Sequence, residues 1–149
     1  MDKCEAKLQL QDLVDEFSFD VYDEYREVEL SVIGQPKWKT MFGKKDYDGV
    51  IERFRKVRRD SAALDPEKIP DIDPGMREAK DTLRAALRAF RDLCDAQIKF
   101  QTMMKNKASG QKVSMSDSKL AARDINDKTG EMQRRITDLN IMYADYLEP

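Results

Sequence analysis

The chain contains no histidine. That absence removes the Ser-His-Asp form of nucleophile activation, the Glu-x-x-His pattern of helical di-iron proteins and the His-Glu-x-x-His pattern of zinc enzymes. Cysteine is scarce: Cys4 and Cys94 stand far apart and match no metal-ligand spacing. Cys4 lies in the frayed first residues. Cys94 falls in an apolar stripe, where a free thiol packs as a small hydrophobe and has no base to activate it. Long hydrophobic runs are missing as well. The opening MDKCEAKLQLQD lacks the apolar core of a signal peptide, and no stretch approaches membrane length. The expectation is a cytoplasmic chain with reduced thiols and no membrane contact. Net charge is −2, so no global field recruits nucleic acid, and the chain is not expected to bind it.

Glycine and proline are few, 6 and 5 in 149 residues, while 38% of residues are charged and 40% hydrophobic. This is helical composition, and the length fits one domain, residues 1–149, able to bury a core without metals or disulfides. Regular apolar spacing argues against disorder despite the charge. Leu10, Val14, Phe17, Val21, Tyr25, Val28 and Val32 recur at one helical face, and Gly34 and Pro36 end that arm. A second arm begins at Pro36 with a short turn through Trp38, Met41 and Phe42 to Gly43, restarts at Asp46 or Asp48, and carries Val50, Ile51, Phe54, Val57 and Leu64. Three prolines in LDPEKIPDIDPG break it. Asp73-Pro74 opens a third arm, with Met76, Leu83, Leu87, Phe90, Cys94, Ile98 and Met104 as its stripe and Gly110 at its exit. A fourth begins near Ser114 or Ser116 and runs through Ile125, Thr129, Met132, Ile136, Leu139, Tyr143 and Tyr146.

The predicted fold is therefore all-α: an antiparallel four-helix bundle of long helical hairpins, its second arm interrupted by a loop. The alternative is a dimer in which such hairpins are exchanged. Charge alternates along the chain. Residues 1–33 carry 10 acids against 3 bases, residues 34–59 carry 3 against 9, residues 60–75 carry 5 against 1, and residues 76–112 carry 4 against 9. Such blocks suit neighbouring arms of opposite sign and select topology more than they add stability.

Catalytic constellations are weak. Glu24-x-x-Glu27 and Asp92-x-x-Asp95 could each present two carboxylates from one helix face, as magnesium-dependent helical phosphohydrolases do, but chance supplies such pairs in a chain with 29 acids. DYDG at Asp46–Gly49 fails as a calcium loop, since its first and last ligand positions would be Lys44 and Arg55. GKKDYD lacks the parts of a P-loop. No enzyme, metal or cofactor is expected.

Surfaces say more. Leu8, Phe19, Tyr22, Leu30 and Ile33 fall within about 80° of one another at 100° per residue, opposite the main stripe of the first arm. Beside them runs an acidic edge of Glu16, Asp20, Asp23, Glu24 and Glu27. A helix apolar on two faces is central in its fold or meets a partner, unless the linker with Ile69 and Ile72 covers it. The predicted use is contact with a protein partner or with itself, as a homo-oligomeric adaptor or chaperone-like component. On that reading Phe19→Asp with Tyr22→Asp dissolves an oligomer without unfolding the subunit. The rival use is nucleic-acid-associated regulation through the basic second arm and a ladder of Arg77, Arg84, Arg88 and Arg91, which span about 60°. Two further features invite expectations. Trp38, Met41 and Phe42 within PKWKTMFGKKDYDG can plug the open end of a bundle. Gln97, Gln101, Asn126 and Thr129 can form a polar layer between the third and fourth arms.

Overall fold

A computed structural model describes residues 1–33 and 45–148. The described residues are helical, with no strand among them. The first arm comprises α1 (Lys3–Asp15), a π-turn (Glu16–Val21) and α2 (Tyr22–Ile33). The second is α3 (Tyr47–Ala62), followed by a short 3₁₀ turn (Pro66–Lys68). The third is α4 (Pro74–Ala108), and the fourth is α5 (Met115–Met142), ending in a second π-turn (Tyr143–Leu147). The proposed Trp38 plug lies outside the described residues.

The helix starts fall where the sequence marks them. Asp46, Asp73 and Ser114 each accept a hydrogen bond from the backbone N–H three residues on, satisfying one of the donors that a helix start leaves unpaired. Pro74 adds its fixed φ at the first position of α4. Gly110 leaves α4 at φ 91°, a conformation that favours glycine.

The core follows the apolar stripes. Leu10, Val14, Phe17, Val21, Tyr25 and Val28 of the first arm are buried with Val50, Phe54 and Val57 of α3 and Met76, Leu83, Phe90 and Cys94 of α4. Phe90 is the hub. Its ring meets Phe17 and Tyr25 edge-on, with centroids 5.4 and 5.5 Å away, an arrangement that suits the ring quadrupoles. Tyr25 also stacks on Tyr22 at 5.8 Å. Burial raises the Tyr25 phenol well above its ordinary range, so it stays neutral and shares its hydrogen bonds with Gln97 and Glu29.

The expected polar layer is relocated. Buried Gln97 donates to Tyr25 Oη at 3.1 Å, so the contact joins α4 to the first arm rather than to α5. Asn126 is exposed, and Thr129 donates to its own helix at Ile125 O. Buried Lys80 has a role that the sequence did not suggest. It donates to Ile69 O at 2.6 Å and pairs with Asp71 at 2.9 Å, fastening the proline-rich linker to α4.

Ion pairs join the arms in an ordered way. Lys105 meets Asp48, Arg58 meets Asp95, and Lys56 meets Glu24. At the opposite end, Tyr146 donates to Asp73 at 2.8 Å and packs on Gly75, where an added Cβ would lie 2.6 Å from the ring. No helix among the described residues is long and apolar enough to cross a membrane.

Two outcomes follow. Phe90→Ala removes the hub of the aromatic cluster and is expected to cost about 3–5 kcal/mol in urea unfolding. Asp73 accepts from Tyr146 and Met76 N–H and pairs with Lys3, which holds its carboxyl below the usual range. A lowered native pKa contributes stability above the unfolded value that is lost as pH falls through the native one. The stability gap between wild type and Asp73→Asn is therefore expected to be full at pH 6 and to shrink below about pH 4. Urea melts across that range check it.

Candidate functional site: a cleft between two π-turns

At a uniform 100° per residue, Tyr22 falls on the same side of the first arm as Phe19. The structure departs from this at Glu16–Val21, where Tyr22 N–H bonds Phe17 O, five residues back. In a regular α-helix those two residues stand about 140° apart; an i→i+5 bond brings them onto one side. Tyr22 accordingly turns inward. Its ring lies 6.3 Å from Phe17 and 6.3 Å from Phe90, and it is half-buried against the core. Burial raises its phenol pKa. The predicted five-residue face loses Tyr22 for this reason.

The other four stay at the surface: Leu8 is 57% exposed, Phe19 68%, Leu30 58% and Ile33 72%. They do not form one patch. Eleven residues separate Leu8 from Phe19, and Phe19 from Leu30, about 17 Å in each case. The linker does not cover them; Ile69 instead lies beside Leu13, with which it lines a shallow recess.

Phe19 borders a concavity. A cleft of about 570 Å³ opens between the two π-turns. Val14, Phe17, Phe19 and Tyr22 line one wall, and Ile136, Asn140, Tyr143 and Ala144 the other. The second turn is closed like the first: Glu148 N–H bonds Tyr143 O at 2.8 Å. Long side-chain contacts tie the walls together. Tyr143 Oη approaches Asp15 at 3.4 Å, and Gln11 donates to Leu147 O at 3.2 Å. The lining contains the carboxylates of Asp15 and Glu148 and no basic group. π-turns recur at functional sites, and ligand clefts combine apolar walls with a few polar groups.

The arginine ladder is divided. Arg84, Arg88 and Arg91 line one recess with Arg58 of α3, and Arg77 does not join them. Arg84 is held by Asp81 and Glu67, at 2.7 and 2.6 Å, and Arg58 by Asp95 at 2.7 Å. One member of each carboxylate pair is engaged: Glu24 with Lys56, Asp95 with Arg58. Cys94 is buried, and its thiol pKa is pushed up by burial, as for a core residue; Cys4 is exposed.

Phe19 is legible in the sequence, but Ile136, Asn140 and Tyr143 as its companions are not; Arg58 is legible as part of the basic second arm but not as a neighbour of Arg84, Arg88 and Arg91. The corrected geometry separates two substitutions. Tyr22→Asp places a charge against the aromatic cluster and is expected to cost about 2–4 kcal/mol. Phe19→Asp, at the surface, is expected to change stability by less than about 0.5 kcal/mol. Parallel urea melts distinguish them. Comparison with known protein families, with curated proteins and with solved structures finds no match to this chain.

Proposed function

We propose that this protein is a non-enzymatic helical interaction module, a homo-oligomeric adaptor or chaperone-like component, that docks proteins at the Phe19 cleft. The observation that carries this reading is a phenylalanine 68% exposed at the rim of an aromatic-walled cleft. An exposed aromatic ring at the rim of a cleft is the kind of anchor on which interfaces concentrate their energy. We read the chain as a single antiparallel four-helix domain. Its support is the order of cross-arm pairs, Asp48 with Lys105 and Arg58 with Asp95, and Tyr146 on the start of α4. Two free thiols suit the reducing cytoplasm expected from the sequence. The nucleic-acid reading is weaker, because carboxylates hold Arg84 and Arg58, Arg77 stands apart, and no aromatic lines the arginine recess.

Self-association through this face brings acidic edges together, since Glu16, Asp20 and Asp23 have no ion-pair partner among the described residues. Added salt screens that repulsion. Light scattering over a dilution series is expected to give a mass above 17.3 kDa that rises between low and moderate salt. Phe19→Asp is expected to return the chain to monomer with its helicity unchanged. A mass of 17.3 kDa at every concentration and salt would refute self-association, and an oligomer indifferent to Phe19→Asp would place the interface elsewhere.

A further inference from the structure

The arginine recess stands apart from the Phe19 cleft and does not depend on the reading of that cleft. It encloses about 400 Å³ between the end of α3, the linker and α4. Four guanidinium groups line it, Arg58, Arg84, Arg88 and Arg91, against two carboxylates, Asp65 and Glu67. Two of the four are fixed in place: Asp95 holds Arg58, while Asp81 and Glu67 hold Arg84. A guanidinium has five N–H donors, and each of these spends only two in the contacts named, so donors remain. Arg88 has no hydrogen-bond or ion-pair partner among the described residues, and the carboxylate nearest Arg91 Nε, that of Asp92, is 3.9 Å away. Asp65 caps the 3₁₀ turn through Glu67 N–H, and Glu67 engages Arg84, so both acids of the recess have other work. Leu64 and Leu87 supply an apolar wall.

We infer that this recess binds a phosphate monoester, with the phosphoryl oxygens on Arg88 and Arg91 and the attached organic group against Leu64 and Leu87. With Arg58 on Asp95 and Arg84 on Asp81 and Glu67, the guanidinium groups left to a phosphate dianion are Arg88 and Arg91, the latter with Asp92 no nearer than 3.9 Å. Planar guanidinium forks meet phosphate oxygens two at a time, and pre-positioned neighbours lower the ordering cost. An extended nucleic acid would need Arg77 and an aromatic stacking surface, and the recess includes neither.

The test is an NMR titration of the full chain with phenyl phosphate at fixed ionic strength, alongside inorganic phosphate, a phosphoserine peptide and sodium chloride. Saturable shifts at the recess are expected. Arg88→Gln and Arg91→Gln should each weaken binding about 10-fold, the loss of one charge-assisted contact, with Arg77→Gln unchanged. Binding should weaken between pH 7.5 and pH 5.5, as the second phosphate proton, of pKa about 6, returns. Phenyl phosphate tighter than the peptide identifies a small-molecule ester as the source, and the reverse identifies a modified side chain. Equal loss in Arg77→Gln and Arg88→Gln, or shifts that sodium chloride reproduces, would overturn the assignment. So would a single-stranded oligonucleotide that binds more tightly than either ester and depends on Arg77.

Discussion

One hydrogen bond governs how the first arm presents its aromatics: Tyr22 N–H to Phe17 O, five residues apart. An uninterrupted α-helix would put Tyr22 about 140° from Phe17 and about 60° from Phe19. The wider turn brings Tyr22 onto Phe17 and Phe90, completing a cluster that Tyr25 and Phe54 extend. Phe19 is left outside as the aromatic of this segment without a place in the core, 68% exposed. The same turn forms one wall of the cleft that Phe19 borders, and the opposing wall is built on a second turn of the same kind at Tyr143–Leu147. Core packing and surface offering thus come from one local departure from α geometry.

Much of the fold could be read from residues alone, because periodicity and caps are local signals. The stripe of the first arm is buried from Leu10 to Val28, and Asp46, Asp73 and Ser114 cap the helices they were expected to cap. The candidate site was less legible. Phase counting at 100° per residue has no means of registering one wider turn, so it kept Tyr22 on the outer face. The partners of Phe19 across the cleft, Ile136 and Tyr143, lie more than a hundred positions away and become neighbours only when the arms pack. Lys80 shows the same limit. It occupies a core position four residues after Met76 and three before Leu83, where only the fold supplies Ile69 O and Asp71 as its partners.

Charge plays two separate parts. Between arms it is mostly spent internally: Lys56 on Glu24, Arg58 on Asp95, Lys105 on Asp48. Exposed pairs of this kind contribute little stability each, but they favour one arrangement of the arms over others. What remains unspent is segregated. The first arm keeps Glu16, Asp20 and Asp23 without an ion-pair partner among the described residues, while the arginine recess keeps Arg88 unpaired among them. These two surfaces, apolar with acids and basic with a leucine wall, have different chemistry and call for different ligands.

The account rests on Tyr22 facing in while Phe19 faces out. The most direct measurement is fluorine NMR of dilute protein labelled with fluorophenylalanine or fluorotyrosine, with relaxation read as a soluble paramagnetic chelate is added. The expected result is strong relaxation at Phe19 and marked protection at Phe17 and Tyr22. Relaxation at Tyr22 as strong as at Phe19 would mean a regular helix through residues 16–21. It would remove the cleft on which the proposed function depends.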